Sequence, residues 1–414
     1  MNNPASRDPN AHVSLALLFG LGVVCVLDSM IVSALVTPLK AHFGASDEQI
    51  GRLSSAATLA ALLAAPVMGL LANRFGRKAV LIGGAVLWSA ASLASGLVSG
   101  FAALLLCRML TGIGDAAYSG VAPSWLADLY RPRWRNLLFS LYMLRNKLGS
   151  AAALALGGWL AAEHGWRSAF LVAGVPGLLL ALLLLGQREP RLGASEQATT
   201  APPLRKGLEV FRYPGYCLHL LALLFFYTAM STQMWIPAFL YRSFALDNQQ
   251  ASAFLAQVLI LTLPVGLIGG YLSSLWLRRH AWGFPAFIAS TSLIAAGLFL
   301  LAYSTPSLTL CKLAIAAGTA TFGFSAGTLT TLVVESVPAH LRTSAVAFSV
   351  MLGIGVAGIL GPLLIGRLSD AFDLQSALRV APACYLLAAL TWLAMTLYLL
   401  RNAPLSNSID EVPA

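Results

Sequence analysis

Residues 107–136, CRMLTGIGDAAYSGVAPSWLADLYRPRWRN, run from an apolar helix into a basic loop. The helical part carries two ionisable groups, Arg108 and Asp115, and the loop carries Arg131, Arg133 and Arg135. At about 3.6 residues per turn, Arg108, Thr111, Asp115 and Tyr118 share one face. Gly112, Gly114, Ala116, Ala117 and Gly120 make a surface that another helix can approach closely. An ionisable side chain in hydrocarbon costs roughly 2.5–3.5 kcal/mol on insertion scales, so it turns toward a bundle interior or a wet cavity. Two readings stand here: a structural pair that fixes helix packing, or the wall of a polar lumen.

The rest of the chain has the same character. Of its 414 residues 58% are hydrophobic and only 10% charged, against about 25% charged in a soluble domain. Apolar stretches of about 20 residues, each long enough to cross a bilayer, succeed one another almost without interruption. Twelve are expected, near 13–37, 50–72, 79–98, 102–127, 137–161, 167–186, 216–241, 251–276, 282–303, 308–335, 343–365 and 376–400. The net charge of +10 lies in short loops between spans, which argues against a nucleic-acid surface. Loops after even-numbered spans hold 14 Lys and Arg, and those after odd-numbered spans about six. That asymmetry predicts an integral protein of the cytoplasmic membrane with both termini in the cytoplasm. The polar start, to Ala11, leads into a retained first helix with no cleavage site in the proper place. The five cysteines lie singly in apolar spans, and no metal-ligand cluster is visible. No nucleophile–base set or phosphate-cradling glycine loop stands out either, so an enzyme is not expected.

The chain repeats itself. GLLANRFGRK at 69–78 follows the second span, and GYLSSLWLRR at 270–279 follows the eighth, at an offset of 201. Asp128 with Arg135 after the fourth span matches Glu335 with Arg342 after the tenth, at an offset of 207. Matching signatures in matching loops indicate duplicated halves with a binding site at their interface. Between them, 187–215 carries Pro190, Pro202, Pro203 and five basic residues and reads as a cytoplasmic linker. The expected division is 1–186, 187–215 and 216–414.

Twelve spans in two halves, with the G-x-L-A-x-R-x-G-R-K loop after the second, resemble the major facilitator superfamily. Within it, GIGDAAYSGVAPSWLADL at 112–129 is similar to the corresponding run of Spinster-like transporters. So are Asp28, WIPAFL at 235–240, and Val337-Pro338 through LIGRLSD at 364–370. The resemblance implies an all-α, twelve-helix fold of two pseudo-symmetric six-helix bundles. It places spans 1, 4, 7 and 10 around a central cavity and spans 2, 5, 8 and 11 beside it. It also makes Asp28, Arg108 and Asp115 an acid–arginine–acid trio, with Asp115 in place of the usual glutamate. A carboxylate beside arginine stays ionised, and one that loses the arginine is more easily protonated, which suits proton coupling. A static charge network is the alternative.

Two departures from that pattern matter. Ser29 stands where the family has arginine, and span 5 carries Arg145 and Lys147, where the family is apolar. Both cations lie roughly 13–17 Å along the helix from Asn136, near mid-membrane, and about 200° apart, so one cleft cannot receive both. One is expected to bind an anionic headgroup, Arg145 in bidentate fashion or Lys147 as a point charge. Alternatively Arg145 replaces the cation missing at Ser29. Gly149, Ala153 and Gly157, four apart, are expected to pack on a neighbouring helix. Tyr118, Gln233 and Trp235 complete the expected substrate lining. The second half is poorer in buried charge: Lys312 sits opposite Arg108 in the repeat and is expected to snorkel, and His219 to be packed.

In the superfamily the acid of the span 2–3 loop points at the start of span 11. Here Asn73 and Ser274 replace that acid and its counterpart, so a weaker gate is expected. Asn73 would accept a hydrogen bond near Thr343-Ser344, with Arg74, Arg77, Lys78 and the pairs Asp128–Arg135 and Glu335–Arg342 in support. Glycines 353, 355, 358 and 361, before Pro362, mark span 11 for bending or close packing. The expected function is a proton-coupled secondary transporter, monomeric, moving an amphiphilic anion such as a lysophospholipid, with protons the coupling ion and no other cofactor. The alternatives are a small organic-anion carrier, a drug exporter, or a non-transporting receptor.

Overall fold

The computed structural model describes residues 11–130, 132–190, 207–266, 268–269, 271–272 and 282–402. They are helical throughout, with no strand among them. Spans 1 to 6 are Ala11–Phe43, Asp47–Phe75, Arg77–Leu97, Phe101–Leu129, Pro132–Glu163 and Trp166–Leu185. Spans 7 to 12 are Pro214–Phe244, Asn248–Leu261 with a turn after it, Gly283–Ala302, Leu308–Glu335, Arg342–Ala371 and Leu374–Arg401. Several helices overrun their apolar stretches because polar residues cap them. Ser46 accepts from the backbone N–H of Gln49 while the Gln49 side chain accepts from that of Ser46, and Asp247 and Ser307 cap spans 8 and 10.

Spans 1 to 6 pack chiefly on one another, span 4 against 2 and 3, span 1 against 5 and 6. Spans 9, 10 and 12 and spans 7, 11 and 12 do the same. Glycine permits the closest approaches. A Cβ on Gly112 would stand 2.0 Å from the Ala57 carbonyl oxygen of span 2, and one on Gly149 would stand 2.7 Å from the Val23 oxygen of span 1. Span 11 uses its glycines both ways. Ser349–Gly355 is a π-helical turn, and Gly355 and Gly358 face Leu62 and Thr58 of span 2. Span 7 is interrupted by the 3-10 turn Thr232–Trp235, which ends two residues before Pro237.

Two seams join the first six spans to the last six, span 2 with 11 and span 5 with 8. Both close toward the ends that carry the loops after odd-numbered spans, here the odd face. The close approaches between spans 2 and 11 run from Asp47–Gly366 to Leu62–Gly355 and stop short of the even-face ends of both helices, where Leu70 and Phe75 of span 2 are exposed by 69% and 60%. A cleft between the halves therefore opens on the even face.

Candidate functional site

The expected trio separates into two places. Arg108 and Asp28 lie deep among spans 1, 3, 4 and 6, each 2% exposed. Arg108 Nη1 is 3.5 Å from both Asp28 carboxylate oxygens, and Nη2 donates to Ser95 Oγ at 2.8 Å. Ser92 donates a short hydrogen bond to Asp28, and the guanidinium lies 4.7 Å from the Phe170 ring centre. Two hydroxyls and an aromatic face thus replace part of the water that both charges give up on burial, while Arg108 Nε has no partner among the described residues.

Asp115 is two turns along span 4 from Arg108, about 10 Å by helix rise. Its Oδ1 accepts from Cys25 Sγ at 2.8 Å and from Ser119 Oγ at 3.2 Å. Unlike Asp28 it is half-buried, and the cation whose field reaches it is Arg145 of span 5. Among the described residues Arg108 thus pairs with Asp28 alone, and Arg145 is the cation near the second acid. Arg145 stacks at 4.5 Å from the Tyr142 ring centre and 5.1 Å from that of Tyr118. The two rings stack on each other at 6.2 Å, and Tyr118 Oη donates to the Leu18 carbonyl at 2.8 Å. Gly22 of span 1 makes this crossing possible: a Cβ there would be 2.2 Å from Tyr118 Oη and 2.6 Å from Arg145 Cδ. Arg145 Nε has no partner among the described residues.

Lys147 diverges from Arg145, as their spacing requires. It donates to the carbonyl and hydroxyl of Thr262 at 3.0 and 2.8 Å, across the seam of spans 5 and 8. Gln233 is half-buried with no hydrogen-bond partner for Nε2 among the described residues, whereas Trp235 is wholly inside the core. Trp235 therefore meets no cleft in this state. His219 is packed, accepting from Trp392 Nε1 at 3.0 Å, and Lys312 lies 5.4 Å from the Phe254 ring centre.

Residues outside the sequence-based set close the odd face. Asp47, 2% exposed, accepts from Arg242 Nη1 and Nη2 at 2.6 and 2.7 Å, from Lys40 at 2.8 Å and from Ser369 Oγ at 2.5 Å. Asp370 returns the contact, its two oxygens accepting from the backbone N–H groups of Asp47 and Glu48 at 2.8 Å each. A carboxylate from span 11 thus caps span 2, where the helix dipole favours negative charge. Glu48 adds a 3.0 Å bond from Arg367.

The even face differs from the gate expected there. Asn73 is exposed and the rims are apart, so it makes no bond to Thr343 or Ser344. Asp128 pairs with Arg77 at 2.6 Å, and Arg77 also holds Glu189 at 3.2 Å and the Pro190 carbonyl at 2.7 Å. Lys78 donates to the carbonyls of Leu185 and Gln187. Arg74 rests on its neighbour Phe75, and Glu335 and Arg342 are both exposed, sharing a field without a direct ion pair. The side chain of Arg135 and all of Ser274 lie outside the described residues. Among the described residues, every even-face ion pair stays within its own half.

Residues 17–353 match the Major Facilitator Superfamily. The chain belongs to that superfamily. It is 27% identical to the Sphingosine-1-phosphate transporter SPNS2 of Xenopus tropicalis, over 97% of this chain and 84% of that protein. It is 29% identical to Protein spinster homolog 1 of Homo sapiens, over 86% and 72%. Among solved structures, a bacterial homologue of the human lysosomal transporter Spinster, inward-facing and unoccupied, superposes with a TM-score of 0.84. It shares 22% identity, covering 96% of this chain and 99% of that one. This superfamily member is thus an integral membrane transporter with Spinster proteins as relatives, and not an enzyme.

Proposed function

We propose that this transporter works by alternating access, coupled to protons, and moves an amphiphilic anion such as a lysophospholipid. The observation that carries the reading is Arg145, half-buried, stacked on Tyr118 and Tyr142 beside the half-buried carboxylate of Asp115. A guanidinium held by aromatic faces offers its N–H fork to a phosphate or carboxylate head. When an anionic head takes Arg145, Asp115 loses the nearby positive charge and binds a proton more readily. Headgroup and proton then travel as a unit. A relative named for sphingosine-1-phosphate, a single-chain phosphate amphiphile, supports this substrate class.

The latched odd face and parted even face supply one of the two states that alternating access needs. On this reading the even face, with its basic loops and both termini, is cytoplasmic, the membrane is the cytoplasmic one, and the chain acts as a monomer. The test is flux into proteoliposomes under an imposed pH gradient, comparing a lysophospholipid, a small carboxylate and a cationic dye. Gradient-driven lysophospholipid movement that Asp115→Asn abolishes, while exchange persists, is expected. Movement of the carboxylate alone would replace the amphiphile with a small organic anion.

A further inference from the structure

Among the described residues, Asp28 and Asp115 are the only acids inside a span. The other described acids stand at span ends or between spans, as Asp47, Asp128 and Glu335 do. Asp8, Glu196, Asp410 and Glu411 fall in polar sequence outside every apolar stretch. Asp28 is already engaged: Ser92 donates to it, and Arg108 Nη1 lies 3.5 Å from both its oxygens. A proton there would leave the buried Arg108 cation uncompensated. Of the described histidines only His219 stands inside a span, wholly buried and accepting from Trp392 Nε1. Asp115, half-buried and bonded by the neutral donors Cys25 and Ser119, is the one acid left to carry a proton across.

The cations divide in the same way. Arg108 serves Asp28, and Lys147 is turned across the seam, donating to the carbonyl and hydroxyl of Thr262 at 3.0 and 2.8 Å. Lys312 lies in the first turns of span 10, 5.4 Å from the Phe254 ring centre. Among the described residues Arg145 alone joins partial burial and tyrosine faces to a field that reaches Asp115. One cation for a head thus faces one acid for a proton. In the empty site the two charges cancel, and with a monoanionic head on Arg145 and a proton on Asp115 they cancel again. A phosphomonoester, close to doubly charged at neutral pH, would leave a negative charge over in a medium of low dielectric. A head of no net charge, taken with a proton, would leave a positive one.

We propose that one proton, carried by Asp115, accompanies each head, and that the substrate class is a head of one net negative charge, such as a phosphodiester. The loaded site then crosses the membrane without net charge, and transport is electroneutral. This rests on the proposed proton-coupled function and gives it a stoichiometry and a charge selectivity.

The test is uptake by the full chain in proteoliposomes, under a pH gradient and with the potential clamped by potassium and valinomycin. Lysophosphatidylglycerol, a monoanion, is compared with lysophosphatidylcholine, a zwitterion of no net charge, at zero potential and at about 100 mV, inside negative. One elementary charge carried across that potential changes accumulation about 50-fold. Lysophosphatidylglycerol accumulation is expected to rise about tenfold per pH unit and to change by less than about twofold with the potential. Lysophosphatidylcholine is expected to move several-fold more slowly at zero potential and to accumulate about 50-fold more at the higher one. A 50-fold response of lysophosphatidylglycerol means no proton per head, or two, and overturns the proposal. Lysophosphatidylcholine that ignores the potential, or matches the monoanion in rate, overturns it equally. In Asp115→Asn the residual uptake of lysophosphatidylglycerol is expected to lose its response to pH and gain one to the potential, because the head then crosses alone. If that variant folds poorly, the wild-type comparison decides by itself. A pH gradient that moves neither lysolipid sinks the functional reading. A lysophosphatidylglycerol flux that follows both the gradient and the potential sinks only the count of one proton.

Discussion

Removing the Arg242 guanidinium tests whether the odd-face latch sets the resting state. Arg242→Met keeps the apolar stem and deletes both short bonds to Asp47, which is 2% exposed. Deleting one partner of a fully buried ion pair costs about 3–5 kcal/mol, because the other charge stays uncompensated. Here Lys40 and Ser369 still hold the carboxylate, and the Arg242 side chain is 27% exposed. The loss is therefore about 1–2 kcal/mol, a factor of about 5–30 in population. Labels at the exposed odd-face positions Ala41 and Phe372 read the shift as growth of a longer distance. Combining Arg242→Met with Asp47→Asn should cost less than the sum of the two alone, since neither then leaves a charge stranded. If Arg242→Met leaves the distance distribution as it was, Asp47–Arg242 is not what keeps the odd face shut.

Gly22→Ala places a methyl group 2.2 Å from Tyr118 Oη, so it should destabilise the fold by about 1–3 kcal/mol. Thermal unfolding checks this, and Tyr118→Phe, lacking the hydroxyl, should recover part of the loss. Partial burial alone would raise the Glu189 carboxyl, but hydrogen bonds from Lys78 and Arg77 outweigh it and hold the group below its usual range. Its stabilisation is therefore present above the unfolded value near 4.3 and lost as pH falls through the folded one. The melting-temperature gap between wild type and Glu189→Gln should accordingly close on acidification. Lys147→Met removes two hydrogen bonds across the seam of spans 5 and 8 and should loosen it in cross-linking between Ala155 and Ala253. An unchanged cross-linking yield would make Lys147 irrelevant to the seam.

The spans were legible because length and hydropathy report them directly, and the duplicated loops suggested their grouping. The ends were not, because caps such as Ser46 and Asp247 lengthen helices without adding apolar residues. Arg108 and Asp28 stood out as charges in hydrocarbon, whose cost demands a partner. Asp47, Arg242 and Glu189 did not, since a charge in a loop reads as solvated until the fold brings its partner. Those partners are 195 residues away for Asp47 and Arg242, and 112 for Arg77 and Glu189. The Cys25 donor to Asp115 left no pattern either, because a lone cysteine in an apolar span reads as a small hydrophobe.

If transport is proton-coupled as proposed, the separation of the two aspartates bears on which one would load the proton. Asp28 is enclosed by Ser92, Arg108 and the surrounding helices, and Arg108 is pinned by Ser95 and Phe170. Protonating Asp28 would strand Arg108 among apolar neighbours, which costs far more than loss of a solvated pair. Asp115 has a softer shell. Its donors are a thiol and a hydroxyl, both neutral, and Arg145 stands on tyrosine faces. Protonating Asp115 strands no buried cation as long as an anionic head occupies Arg145. On the proposed proton coupling, that asymmetry favours Asp115 for loading and Asp28–Arg108 for holding spans 1, 3, 4 and 6 together. On this account Asp28→Asn depresses exchange and gradient-driven flux together through loss of folded protein, whereas Asp115→Asn removes only the gradient-driven part. If Asp28→Asn kept its melting temperature and its exchange but lost the response to pH, the assignment would have to be reversed.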